Sequence, residues 1–61
     1  MSATLATEII NYFNTRTTHH VNKLTPKYGV KAEMAAVKLA TNDVVRKYDV
    51  DVTDAVVALA S

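Results

Sequence analysis

From Thr4 to Leu24 the apolar residues Leu5, Ala6, Ile9, Ile10, Phe13, Val21 and Leu24 fall within one broad arc when each residue advances about 100°. Thr7, Asn11, Asn14, Thr15, Thr18 and Asn22 lie opposite them. This is the pattern of a long amphipathic helix, with Ser2 or Thr4 as its cap. Thr15, Thr17 and Thr18 are poor helix formers and mark a weak point in the middle, where a break of the helix is the alternative. Thr25-Pro26 is the clearest punctuation, because proline removes a backbone donor and disfavours helical geometry in the residue before it. Gly29 supplies a permissive dihedral soon after. Leu24 to Gly29 is therefore expected to be a turn.

A second helix is expected from about Lys31 to Tyr48. Its main face holds Val30, Met34, Val37, Val44, Val45 and Tyr48, with Thr41 inside it; a second apolar face holds Ala32, Ala35, Ala36 and Leu39. Two apolar faces predict a helix packed on both sides, with the alanines permitting close approach. Asn42-Asp43 offers an alternative start that would split this helix in two. After a turn over Asp49 to Asp51, Asp51 or Thr53 caps a last helix to Ala60, and Asp54 adds favourable charge near its N-terminus. Its residues Ala55 to Ala60 are all apolar, which predicts burial on more than one side. The expected fold is all-α, a small three-helix bundle in a single domain over residues 1–61, with a helix-turn-helix-like C-terminal pair.

Composition agrees with helices. One glycine and one proline leave too few turn formers for an all-β chain of 61 residues. A domain of this size buries only about 60% of its unfolded surface, and small scaffolds compensate with disulfides, a metal or association. Without cysteine, association is the route left open. A dimer is the default symmetric form.

The formal net charge of +1 points to no partner class, but its distribution is uneven. Through Lys31 the chain carries Arg16, Lys23, Lys27 and Lys31 against Glu8 alone; afterwards Glu33, Asp43, Asp49, Asp51 and Asp54 outnumber Lys38, Arg46 and Lys47. Such a dipole favours antiparallel packing of the ends or complementary contact between copies. The first residues lack a basic region followed by an apolar core, and the longest apolar run is too short to span a bilayer. A cytoplasmic protein without membrane contact is expected.

No catalytic arrangement is evident. A phosphate loop needs more glycines than the chain has, there is no thiol, and Ser2 and Ser61 sit at the ends, where no geometry is held. Asp49, Asp51 and Asp54 lack the glycine and terminal glutamate of a calcium loop and read as caps and turn formers. His19 and His20 project about 100° apart and cannot share a metal without further ligands. Neither an enzyme, a cofactor, a metal nor a small-molecule substrate is expected.

Two surfaces remain as candidates. Tyr12, Arg16, His20, Lys23, Lys27 and Lys31 form a basic flank that could follow a phosphate backbone or an acidic surface. Ala32, Ala36, Leu39, Val56 and Leu59 form a candidate apolar interaction face. The leading expectation is a non-enzymatic protein-interaction or regulatory module, as a homodimer or with another protein. The alternative is a small nucleic-acid-binding protein using Arg16 to Lys31.

Thr41 to Ala60, TNDVVRKYDVDVTDAVVALA, resembles the bacterial repressor helix-turn-helix, in which two helices flank a three-residue turn. Val44, Tyr48, Val50 and Leu59 stand at its apolar positions and Asp49 at the turn position usually held by glycine. Val45 departs from the small residue wanted at the helix crossing. The second helix of the pair offers Asp51, Val52, Thr53, Asp54, Val56 and Val57, where base reading needs Arg, Lys, Asn or Gln. Tyr28-Gly29-Val30 is similar to the hydrophobic–glycine–hydrophobic loop of ubiquitin-associated domains, with RKYDVDV lengthening the path to the last helix.

Overall fold

In the computed structural model, which describes all residues 1–61, the chain is all-helical and has no strand. Helix α1 runs Ala3–Tyr28, a single 3₁₀ turn covers Gly29–Lys31, α2 runs Ala32–Tyr48 and α3 runs Val52–Ala60. Ser2 caps α1, its Oγ accepting from the Leu5 amide at 3.1 Å. The threonines do not break α1. Thr17 Oγ1 donates to the Phe13 carbonyl and Thr25 Oγ1 to the Val21 carbonyl, so these hydroxyls are satisfied within the helix.

The turn expected over Leu24 to Gly29 is instead the last turn of α1, which passes through Pro26 and ends at Tyr28. Pro26 is solvent-exposed, so water can satisfy the carbonyl its missing N–H leaves free. Packing against α2 supplies the stability that propensity does not. Reversal happens at Gly29, whose φ of 60° is open to glycine without steric cost and whose N–H bonds the Thr25 carbonyl.

Helix α2 is continuous, so the alternative start at Asn42-Asp43 is not used. Asp49 ends it at φ 59°, a left-handed residue whose N–H bonds the Val45 carbonyl. Asp51 then caps α3, accepting from the Thr53 amide at 3.0 Å while Asp54 reaches back to the Asp51 N–H.

Helices α1 and α2 form an antiparallel hairpin. The short α3 lies on the N-terminal half of α1 and touches α2 little. The arrangement is thus a hairpin carrying a short third helix, and an even three-helix bundle does not describe it. It is elongated: the radius of gyration is 12.3 Å, against about 10.5 Å for a compact domain of this length.

Only seven residues are buried, and all but Ile9 and Val44 are alanine. Ala6, Ile9, Val44 and Ala55 form the core where the three helices meet, with Ile10, Tyr12, Phe13, Tyr48, Val50, Val52 and Ala58 packed around it. Along α2 the buried residues are Ala32, Ala36, Ala40 and Val44, four apart, the row on which α2 lies against α1. Small side chains on such a row let the two backbones approach closely.

The expected main face of α2 is divided: Val44 is fully buried and Tyr48 half-buried against the core, while its other members turn to solvent. Val30, Met34, Val37 and Val45, expected in the core, are exposed, Val30 by 94% and Met34 by 74%. The alanine row took the partner helix because it admits the closer approach, and no element covers the other side. For the same reason α3 is not buried on more than one side: Ala55 faces the core while Val56, Val57 and Leu59 are exposed.

Candidate functional site

Three of the uncovered residues and the half-buried Thr41 share one side of α2. Met34, Val37, Thr41 and Val45 fall within about 80° of arc at helical spacing, and Val30 in the preceding turn extends the stripe. Thr41 belongs to it without exposing an unsatisfied hydroxyl, since its Oγ1 donates to the Val37 carbonyl at 2.8 Å. Glu33 and Lys38 border the stripe on opposite sides. With Met34 and Val37 they line a shallow groove of about 440 Å³. Neither Glu33 nor Lys38 takes part in an ion pair; the three that form all use Asp43.

A second apolar strip lies on the other border of α2. Leu24, Tyr28, Ala35 and Leu39, with Lys31 and Lys38 at the edge, line a groove of about 400 Å³. Single exposed apolar residues are ordinary on a protein surface, and it is larger contiguous patches rimmed by polar residues that serve as contact surfaces.

The candidate apolar interaction face is divided by the fold. Ala32 and Ala36 are buried between α1 and α2, Leu39 lies at the second groove, and Val56 and Leu59 are on the outer side of α3. Those two alanines face the chain's own α1 and are not available to a partner.

The candidate basic flank is also divided. Arg16 Nε donates to Asp43 Oδ2 at 3.0 Å, and His20 Nε2 lies 2.7 Å from the same oxygen. Arg46, mostly exposed, reaches Asp43 Oδ1 at 3.3 Å. The His20 hydrogen bond and then the Arg16 guanidinium hold the Asp43 carboxyl below its ordinary pKa, against the smaller opposing effect of burial. Tyr12 packs edge-on to Tyr48 with ring centroids 5.6 Å apart, and the Lys47 ammonium sits 4.3 Å from the Tyr12 ring. Burial, reinforced by the Glu8 carboxylate, raises the Tyr48 hydroxyl above its ordinary pKa. Lys23, Lys27 and Lys31 remain exposed around the hairpin turn, Lys27 over the Tyr28 ring at 5.3 Å.

Sequence reasoning missed Asp43, whose neighbours suggested a cap. The available signal was the four-residue spacing of Arg16 and His20, which aims two donors at one point of a facing helix. It also misplaced the outward stripe, for which the evenly spaced alanines were the available clue.

No group of three or more His, Asp or Glu side chains is placed to hold a metal ion, and no helix is long and apolar enough to cross a membrane. No family model, curated protein or solved structure matches this chain.

Proposed function

We propose that this chain is a small non-enzymatic cytoplasmic protein-interaction or regulatory module that acts by presenting the outer stripe of α2. One observation carries the reading. The alanines are inside and the larger Val30, Met34, Val37 and Val45 are outside, in a row bordered by Glu33 and Lys38. A helix needing only to pack on α1 has no use for such a row. Covering it removes apolar surface from water, at roughly 25 cal/mol per Å².

The nucleic-acid reading retains less support. Arg16 and His20 bond Asp43, which leaves Lys23, Lys27 and Lys31 as the free cations of that flank. Helix α3 presents Thr53, Asp54, Val56 and Val57 outward, and acid there repels phosphate.

A photo-crosslinking amino acid placed at position 34, in cells producing the chain, tests the reading against the same residue at Asn11 on the exposed side of α1. The expected result is a discrete protein adduct from position 34 and none from position 11. Absence of an adduct at 34, or equal labelling at both, overturns it. A gel shift with DNA or RNA at low salt that fades steeply at moderate salt would favour the alternative instead.

A further inference from the structure

We infer that the partner of the α2 stripe is the α2 stripe of a second copy of this chain, with the two helices running parallel. The inference rests on the module reading above and adds the identity and orientation of the occupant. Within α2, Met34, Val37 and Thr41 are spaced three and four apart, the alternation that lets two helices interlock along a shared seam, and Val30 extends the stripe from the 3₁₀ turn before it. Val45 ends the stripe, about 17 Å along the axis from Met34 at 1.5 Å per residue.

Charge chooses the partner and its direction. Glu33 immediately precedes Met34 and Lys38 immediately follows Val37, so the two stand on opposite borders of the seam. In a parallel pair, opposite borders of the two helices meet, and residues five apart face each other across the seam. Glu33 of each copy then meets Lys38 of the other, twice by symmetry. In an antiparallel pair, like borders meet: Lys38 faces its own copy near the two-fold axis, and Glu33 has no cation opposite it. The uneven charge of the chain ends does not reverse this choice. Arg16, His20 and Asp43 already meet inside the hairpin, and Asp51 and Asp54 bond the start of α3. Of the exposed lysines of the turn, Lys23 and Lys27 belong to α1; Lys31 stands on the Lys38 border at the end of the seam, where the residue five before it is the uncharged Pro26.

Helix α1 covers the alanine row on another side of α2, and α3 lies on α1. The seam is short, so the dimer belongs to the weak class of interfaces.

The chain contains no cysteine, which makes single-cysteine crosslinking a clean test of direction. Solution mass of the full chain is measured from about 10 µM to about 1 mM, a range suited to weak association. It is expected to rise from monomer toward dimer. Met34→Cys under mild oxidation is expected to crosslink to itself, whereas an antiparallel seam would crosslink only Met34→Cys mixed with Thr41→Cys. Lys38→Glu at low salt is expected to weaken association about 3- to 10-fold, and Glu33→Lys with Lys38→Glu to restore it.

A monomer at every concentration overturns self-association, while the in-cell adduct from position 34 decides the module reading separately. Crosslinking only in the mixed experiment overturns the parallel direction. A dimer unaffected by Met34→Lys with Val37→Lys, both at exposed sites where the monomer fold is retained, places the contact elsewhere and overturns the inference.

Discussion

Asp43 lies mid-helix on α2 and takes hydrogen bonds from Arg16, 27 residues earlier, and His20, 23 residues earlier. Its side chain is only 13% exposed, so these contacts are better shielded than an ordinary surface pair, while the Arg46 contact, 76% exposed, adds little. Asp43→Asn is expected to lower stability at pH 7 by about 1–2 kcal/mol, seen as a fall in Tm of roughly 5–15 °C. The pH dependence has a definite sign. Because the folded pKa lies below the ordinary one, the contribution is complete above the ordinary carboxylate value and is lost as pH falls through the folded value. Wild type and Asp43→Asn should therefore converge in acid unfolding curves below that range; a constant gap between them would contradict the account. Arg16 and His20 were legible as a pair on one flank. Their acceptor was not, since the register of α2 against α1 brings it there.

At the scale of elements, caps were the most legible feature. Ser2, Asp51 and Asp54 make the bonds their residue types favour at helix starts, and Asp49 adopts the left-handed end that aspartate tolerates. Pro26 misled for an equally local reason: its rule is strong in isolation, but packing along α1 outweighs one missing hydrogen bond in an exposed last turn. Pro26→Ala should raise stability by about 1 kcal/mol and slow amide exchange over residues 22–28. A fall in Tm would show that the ring itself shapes the Gly29 turn. The α1–α2 seam makes the opposite prediction for added bulk. Ala36→Leu should cost about 1–3 kcal/mol by forcing the helices apart, whereas Met34→Leu, at an exposed site, should change stability by under about 0.5 kcal/mol. Similar losses from both, measured by urea denaturation, would mean that the two faces of α2 are assigned the wrong way round.

At the scale of the molecule, the hairpin is longer than its core can fill. Ile9 and Val44 are its largest fully buried side chains, while the valines of α2 and the tip of α3 stay in water. Anything that binds the folded chain through these surfaces raises its apparent stability by mass action. Tm should accordingly increase with protein concentration for the wild type, and should not for Met34→Lys with Val37→Lys. A concentration-independent Tm in the wild type would mean that the isolated hairpin is self-sufficient.

Helical class, the caps at Ser2 and Asp51 and the absence of a covalent staple follow from the chain itself, because propensity, capping and cysteine content act within a few residues of sequence. Tertiary structure decided which apolar face of α2 turned inward and where the Asp43 charge found its partners. Both faces had helical spacing, so periodicity could not rank them. The choice rested on how closely two backbones can approach: Ala32, Ala36 and Ala40 permit the close contact of α2 with α1, while Val44 fills the core where α3 joins them, and that is a property of the packed helices rather than of any one sequence segment.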